Sequence, residues 1–376
     1  MQRVLERTEK IPLDVSRYPT GLDEKVQNLE RTVLLQHQNR GARVVGIVGL
    51  GGVGKTTVAK EFFNLHISNY HRSSFLFDVR ENAARGSLNS LQSKLLHDLT
   101  KSNKVQIYNT ADGITKLTRF LSSSHEVLIV LDDVDHVDHL NALLLPVKDV
   151  LHSGSLILVT SRRMDVLTSS DIPESSIYKL TGLNRQQSQK LFCSHAFHQS
   201  HPVLGFEHEV EKFLDVCDGL PLSLKVLGAL LRGKEDMAYW KAQLCEISEV
   251  LPADIHGSLK ISYDSLNPRE KQIFLDIACF FIGEDRDTAI RIWDGSSWDG
   301  WLGFRNLENK CLVEVDDKNR IRMHDHLRDL GRDMAKNEQG CQLRLWRPSE
   351  DLTNQSPVSI FEALLAFKLA NCDFKF

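Results

Sequence analysis

The run GIVGLGGVGKTTVAKEF, from Gly46 to Phe62, gathers five glycines around Lys55, Thr56 and Thr57. Glycine is costly to order, so a cluster of it needs a reason. Residues 49–56 fit the pattern G-x-x-x-x-G-K-[ST], and the chemistry of that pattern accounts for each residue type. Gly49, Gly51, Gly52 and Gly54 let the backbone around Val53 curl into a nest of N–H groups facing a phosphate. Lys55 can reach the β- and γ-phosphates as a point charge, and the Thr56 hydroxyl can ligate Mg²⁺. Thr57 leads into a helix whose N-terminal dipole points at the same anion. The flanks agree. Residues 43–48, RVVGIV, read as a buried strand, while Val58, Phe62 and Leu65 fall at i, i+4 and i+7 on one helix face. Strand, loop and helix in this order predict a nucleotide phosphate site over residues 49–57.

The chain has 376 residues, enough for about two to four domains. At 41% hydrophobic and 26% charged it reads as a soluble globular protein with ample core. A net charge of −4 gives no electrostatic case for binding nucleic acid or an anionic membrane. The seven cysteines, at 193, 217, 245, 279, 311, 341 and 372, form no C-x-x-C pair and are expected as buried thiols in a reducing compartment. The longest apolar run, IFLDIACFFIG, is far too short to span a bilayer, and the first residues lack the apolar core of a signal peptide. These features point to the cytoplasm or nucleus.

From Arg43 onward strands and helices alternate. SFLFDV (residues 74–79), EVLIVLDDVD (126–135) and GSLILVTSRR (154–163) are further strand candidates, and Leu88, Leu91, Leu95, Leu96 and Leu99 mark an amphipathic helix. Such alternation predicts a parallel sheet with helices on both faces. After about residue 180 the strand signal nearly stops. Asn184 with Gln187 opens a helix as a capping box. Val210, Phe213, Leu214 and Cys217 mark the next, which stops at Gly219, and GLPLSLKVLGALLRG starts another. Asn267, Pro268 and Glu270 supply cap, N1 proline and N3 acid for a helix that buries Ile273, Phe274, Ile277 and Phe281. CLVEVDDKNRIRMH then reads as a hairpin, so the last block has the outline of a winged helix. The expected fold is an α/β P-loop NTPase domain, a small helical domain and a winged-helix domain. The boundaries are a linker at 1–17, the nucleotide domain at 18–180, the helical bundle at 181–256, the winged helix at 257–345 and a divergent tail at 346–376.

LIVLDDVD supplies acids to answer the lysine, about 75 residues downstream of it. Asp132 and Asp133 stand at the carboxyl end of a buried strand, where ligands of doubly wound sheets sit. Asp132 can hold Mg²⁺, usually through water, and Asp133 is the candidate catalytic group that orients or deprotonates an attacking water. Arg162 ends the next strand candidate, where a cation could touch a γ-phosphate and tell ATP from ADP.

Taken together these motifs resemble the NB-ARC module of plant disease-resistance proteins, which belong to the signal-transducing ATPases with numerous domains. The likeness runs from about Tyr18 to Leu345. YPTGLDEKV resembles the entry segment beside adenine. GLGGVGKTT, LIVLDDVD and GSLILVTSR match three core motifs in order, GLPLSLKVLG matches the GLPL box, and Met323, His324 and Asp325 match the MHD motif. FLFDVREN, LDIACFF and Asp135 at the close of the second acidic motif are similar to the branch that carries an N-terminal TIR domain; the coiled-coil branch usually has Trp in place of that acid. Smaller departures are Ser161, where the family often has Thr, and Arg163, where it often has an acid or Asn. No TIR domain or leucine-rich repeat is recognisable, the first 15 residues look like a post-TIR linker, and the tail after LRLWRPSED leaves the pattern, so a truncated or alternatively ended product is expected.

The resemblance implies a switch. A closed form holds ADP, with Pro221 packed near the base and His324 reaching the β-phosphate, and ATP favours an open form that self-associates or joins TIR-containing receptors. From its place alone, His324 is an ordinary histidine at a hairpin end. Two rivals remain: a turnover ATPase in which Asp133 drives remodelling work, and a winged-helix DNA binder. The second is disfavoured because the candidate recognition stretch DGWLGFRNLENK is poor in basic residues.

Overall fold

The computed structural model describes residues 12–15, 18–35, 42–84, 88–100, 106–122, 125–248, 255–295 and 298–337. Apart from residues 12–15, the expected linker lies outside these, as does the whole tail 346–376. The chain divides into two units, residues 1–225 and 226–376.

The first unit is built on five parallel strands: β1 (Arg43–Val48), β2 (Arg72–Leu76), β3 (Val127–Leu131), β4 (Leu156–Ser161) and β5 (Ile177–Lys179). Their order is β2-β3-β4-β1-β5. Every residue of β3 and β4 is buried. Because successive side chains point to opposite faces, both faces of the sheet are covered. Among the helices that cover it, Leu22–Leu34 buries Leu22, Val26, Leu29 and Val33, Lys55–His66 buries Val58, Ala59, Phe62 and Phe63, and Leu88–Thr100 buries Leu91, Leu95, Leu96 and Leu99. Leu65, expected on the buried face, is instead exposed, because the last turn meets helix Leu22–Leu34 through a polar pair, His66 and Glu30 at 2.8 Å. The second strand is also shorter than expected. It ends at Leu76; Asp78 takes a left-handed turn (φ 50°) and Val79 opens a short helix, Val79–Ala84.

Beyond the sheet, helix Arg185–Ala196 begins with the expected capping box of Asn184 and Gln187. Helix Glu207–Cys217 closes on left-handed Asp218 and Gly219, and helix Pro221–Leu230 follows. The expectation of uniformly buried cysteines is corrected. Cys193 and Cys217 are buried, and burial pushes the Cys193 thiol up to about 12 and raises that of Cys217 too. Cys245 is exposed, and Cys279 and Cys311 are half-buried. Cys341 and Cys372 lie outside the described residues.

In the second unit, helix Pro268–Asp276 has the expected Asn267 cap, Pro268 at N1 and Glu270 at N3. It runs into one π-turn, Ile277–Phe281. Arg332 Nε donates to the carbonyl of Ala278 in that turn at 3.1 Å. Trp293 is fully buried, and its indole N–H donates to the buried Asp276 carboxylate at 3.2 Å. β6 (Glu314–Val315) and β7 (Ile321–Arg322) form the expected antiparallel hairpin. β7 stops at Arg322, so His324 follows the strand rather than ending it. Helix Asp325–Asn337 packs so closely on the π-turn that a Cβ built on Gly331 would stand 2.6 Å from Ala278 Cβ. A leucine there is expected to destabilise this unit by about 1–3 kcal/mol through overpacking, more than the ~1 kcal/mol that helix propensity returns. Urea unfolding of Gly331→Leu beside the parent checks this.

Candidate nucleotide site

β1 ends at Val48, and the glycine loop turns directly into helix Lys55–His66. Gly54 caps that helix with φ 99°, a conformation that side chains resist. The Lys55 ammonium, almost fully buried, lies inside the loop and donates to the carbonyls of Gly49 (2.8 Å) and Leu50 (2.9 Å). Val53 is buried and fixes the loop from beneath. Gly51 is buried, and Thr56 and Thr57 sit in the first helical turn, half-buried.

The loop is also held from the GLPL side. Gly52 has φ 72°, and a Cβ on it would stand 2.9 Å from Leu222 Cβ. The Leu222 N–H donates to the Gly52 carbonyl at 3.3 Å. Helix Pro221–Leu230 therefore starts against the glycine loop, and Pro221 is brought to the site by its neighbour rather than by its own ring.

Asp132 follows β3 and is buried. Thr56 Oγ1 donates to its carboxylate at 2.9 and 3.1 Å, and Thr160 Oγ1 donates at 2.7 Å. Thr160 in turn accepts the Asp133 N–H at 2.9 Å, and its carbonyl accepts the Val134 N–H at 2.9 Å. This residue was missed in the sequence. It hid at the end of the apolar run LILV, read as part of the strand, and nothing local shows that β4 lies between β1 and β3.

Asp133 has φ 56°, and its carboxylate faces two cations. Arg80 Nε donates to Oδ2 at 2.8 Å, and Arg162 Nε stands 3.4 Å from Oδ1. Register pairing of Val48 with Ser161 sets Arg162 beside the start of the glycine loop. Arg80 was quoted in FLFDVREN only as a mark of subtype, so its role here was missed as well.

The structure thus brings together the loop over residues 49–57, Asp132, Asp133, Arg162 and the start of the GLPL helix. His324 belongs to the other unit. It is exposed; the His326 N–H donates to its Nδ1 at 3.3 Å, and the two rings stack at 5.7 Å. The side chain of Asp325 lies outside the described ones.

Backbone nest, buried ammonium and an acid at the end of β3 define a P-loop nucleotide-binding protein. Residues 23–202 match the NB-ARC domain family, and residues 267–339 match the winged-helix domain described as Disease resistance protein Roq1-like. The chain thus carries an NB-ARC domain, followed in sequence by a Roq1-like winged-helix domain. Disease resistance protein RUN1 of Vitis rotundifolia is 36% identical over 338 residues, covering 89% of this chain and 25% of that protein. TMV resistance protein N of Nicotiana glutinosa is 34% identical over 366 residues, covering 94% of this chain and 31% of that protein. The chain therefore spans about a quarter to a third of these curated relatives. A solved structure of a signal transduction ATPase with numerous domains, with a tetratricopeptide repeat sensor, from Pyrococcus horikoshii shares the fold. Its TM-score is 0.50 at 16% identity, covering 86% of this chain and 43% of that one. Among the described residues no helix is long and apolar enough to cross a membrane.

Two outcomes follow from the geometry. Lys55→Arg replaces a compact ammonium by a planar fork too large for the nest. Nucleotide affinity should fall more than about tenfold, or ~1.4 kcal/mol, with the fold intact, as read by calorimetric titration beside a thermal melt. The second concerns pH. Burial pushes the Asp132 carboxyl up to about 7, with help from the like charges of Asp78 and Asp133 and against the two threonine hydroxyls. Between the ordinary carboxylate range and about 7 the folded state holds a proton that the unfolded chain has released. This group's contribution to stability therefore declines as pH rises through that window and is level above it. Asp132→Asn, which still accepts both hydroxyls, should melt higher than the parent at pH 8, and the gap should close towards pH 4.

Proposed function

We propose that this chain is the nucleotide-dependent switch of a plant defence signalling protein, closed with ADP and open with ATP. The proposed layout is a nucleotide domain at 18–180, a helical bundle at 181–256 and a winged helix at 257–345. The single observation that carries the reading is the meeting of the Lys55 nest, the Thr56–Asp132 pair and the Arg162–Asp133 pair at one end of the sheet. A phosphate chain laid along the nest would meet a fixed ammonium, and a third phosphate would extend towards Arg162, the group that would tell ATP from ADP. Pro221, opening the helix that touches Gly52, would pack near the base.

The residues also fit Mg²⁺. Thr56 and Asp132 offer a hydroxyl and a carboxylate within hydrogen-bond distance of each other, the oxygen donors a hard cation takes when phosphates and water complete its shell. Among the described residues no group of three or more acids, histidines or cysteines forms a metal cage. When bound, that ion would neutralise phosphate charge. The chain's own part is to hold the oxygens in place and, through Asp133, to orient water.

His324 would read the nucleotide from the winged helix by contact with the β-phosphate in the closed form. In the open form the chain would self-associate or join TIR-containing receptors, in the cytoplasm or nucleus. A turnover ATPase with Asp133 as its base is the alternative. The switch is tested at His324. A hydrogen bond to a charged phosphate is worth about 1.5–3 kcal/mol, so His324→Ala should weaken ADP binding roughly ten- to a hundredfold. ATP affinity should change little, because only a difference between the two states moves a population. Dissociation constants for both nucleotides, with size-exclusion profiles, decide it; an equal loss for both would remove His324 from the switch.

A further inference from the structure

Asp133 is the candidate for orienting water, and both oxygens of its carboxylate face arginines. Arg80 is the nearer, with Nε donating to Oδ2 at 2.8 Å, and Arg162 stands at Oδ1. The Arg80 position is fixed by its own backbone. Its N–H donates to the Asp133 carbonyl at 3.1 Å, and the preceding N–H, of Val79, donates to the Asp132 carbonyl at 2.9 Å. The turn that carries it is pinned as well. Phe77 stacks on Phe75 at 4.3 Å and has the Lys60 and Lys94 ammoniums 5.4 and 5.6 Å from its ring centre, and Asn82 Nδ2 donates to the carbonyls of Phe77 and Asp78. The junction after β2 is thus stitched to the two acids by main chain and side chain together.

We propose that Arg80 is a positioning residue that holds the Asp133 carboxylate turned away from attacking water and so keeps ATP hydrolysis slow. The inference rests on the nucleotide reading of this site. In the hydrolytic step the water oxygen bonds to the γ-phosphorus as the bond from that phosphorus to the β,γ-bridging oxygen breaks. The water proton passes to the Asp133 carboxylate and then to the departing phosphate. A carboxylate bonded to Arg80 Nε at one oxygen and ion-paired with Arg162 at the other is held in place, and turns to that water only once an arginine leaves. Arg162 is the one that a γ-phosphate can draw off, since it follows β4 beside the glycine loop. Arg80, held by its backbone, stays on Asp133. ATP then binds and is turned over only slowly, the behaviour a switch needs and a remodelling ATPase does not. Releasing the brake requires moving helix Val79–Ala84, not the nucleotide.

The test compares Arg80→Ala with the parent chain by single-turnover hydrolysis of γ-labelled ATP with Mg²⁺, beside ADP and ATP dissociation constants. General-base catalysis contributes about a hundred- to ten-thousandfold, so partial release should raise kcat about tenfold or more while KM and both affinities stay within about twofold. Arg80→Lys, which keeps a cation beside Oδ2, should stay close to the parent rate. Arg80→Ala combined with Asp133→Asn should fall to the parent rate or below, since the released group is then gone. If Arg80→Ala does not fold, as judged by its melting curve, Arg80→Gln replaces it with the same expectation. An unchanged or lower kcat with nucleotide binding intact would overturn the role of Arg80 alone. A parent chain that binds no ATP would overturn the nucleotide reading beneath it.

Discussion

One buried carboxylate sets the geometry of the first unit. Asp132 accepts a hydroxyl from Thr56, at the start of the helix after β1, and another from Thr160, at the end of β4. It stands at the end of β3 itself. The ends of three strands are therefore tied to one group, and the glycine loop hangs from that knot. Burying an acid is unfavourable unless it is hydrogen-bonded or neutralised. Here the two hydroxyls supply the bonds, and the residual cost appears as the raised carboxyl pKa. The site is held at some expense to stability in exchange for a fixed oxygen where a cation and phosphates can meet it.

The second unit is organised by a different constraint. A π-turn widens the helix between Ile277 and Phe281. Arg332, from helix Asp325–Asn337, donates to the Ala278 carbonyl within that turn, and Gly331, one residue before it, lets the two segments approach closely. The helix that begins immediately after His324 is thereby locked to the winged-helix core by a hydrogen bond and a close backbone contact. Whatever His324 touches, it touches from a rigid base.

Much of this was legible in the sequence because it is local. The glycine loop, the Asn184 and Asn267 capping boxes, the helix face of Leu91, Leu95, Leu96 and Leu99 and the hairpin before His324 each depend on neighbours a few residues apart. Thr160 and Arg80 were not legible, because their meaning comes from strand order. β2 and β4 flank β3 only once the sheet is assembled, and no spacing in the chain encodes that. Leu65 failed for a related reason. Its helical period is right, but the helix runs past the edge of the apolar core into the His66–Glu30 pair. Val79 was misassigned because four of the six residues of SFLFDV are apolar, and the left-handed turn at Asp78 that ends the strand is a choice aspartate permits but does not announce.

The charges around the site bear on the proposed metal–nucleotide complex. Lys55, Arg80 and Arg162 stand with Asp78, Asp132 and Asp133, three cations with three acids. Two of the cations already face Asp133. The positive field left to a phosphate chain comes from Lys55, whose bonds within the loop go to the carbonyls of Gly49 and Leu50, with the nest N–H groups and the helix dipole adding fractions of a charge. A triphosphate would therefore arrive at a nearly neutral site and would compete with Asp133 for Arg162. The divalent cation proposed beside Asp132 would remove that shortfall by adding charge next to the buried carboxyl. Each phosphate added beyond the second then acts less through net attraction than through the partner it takes. Drawing Arg162 from Asp133 exchanges one ion pair for another at small net cost, and such near-balanced exchanges are what allow a bound nucleotide to bias two arrangements of one chain.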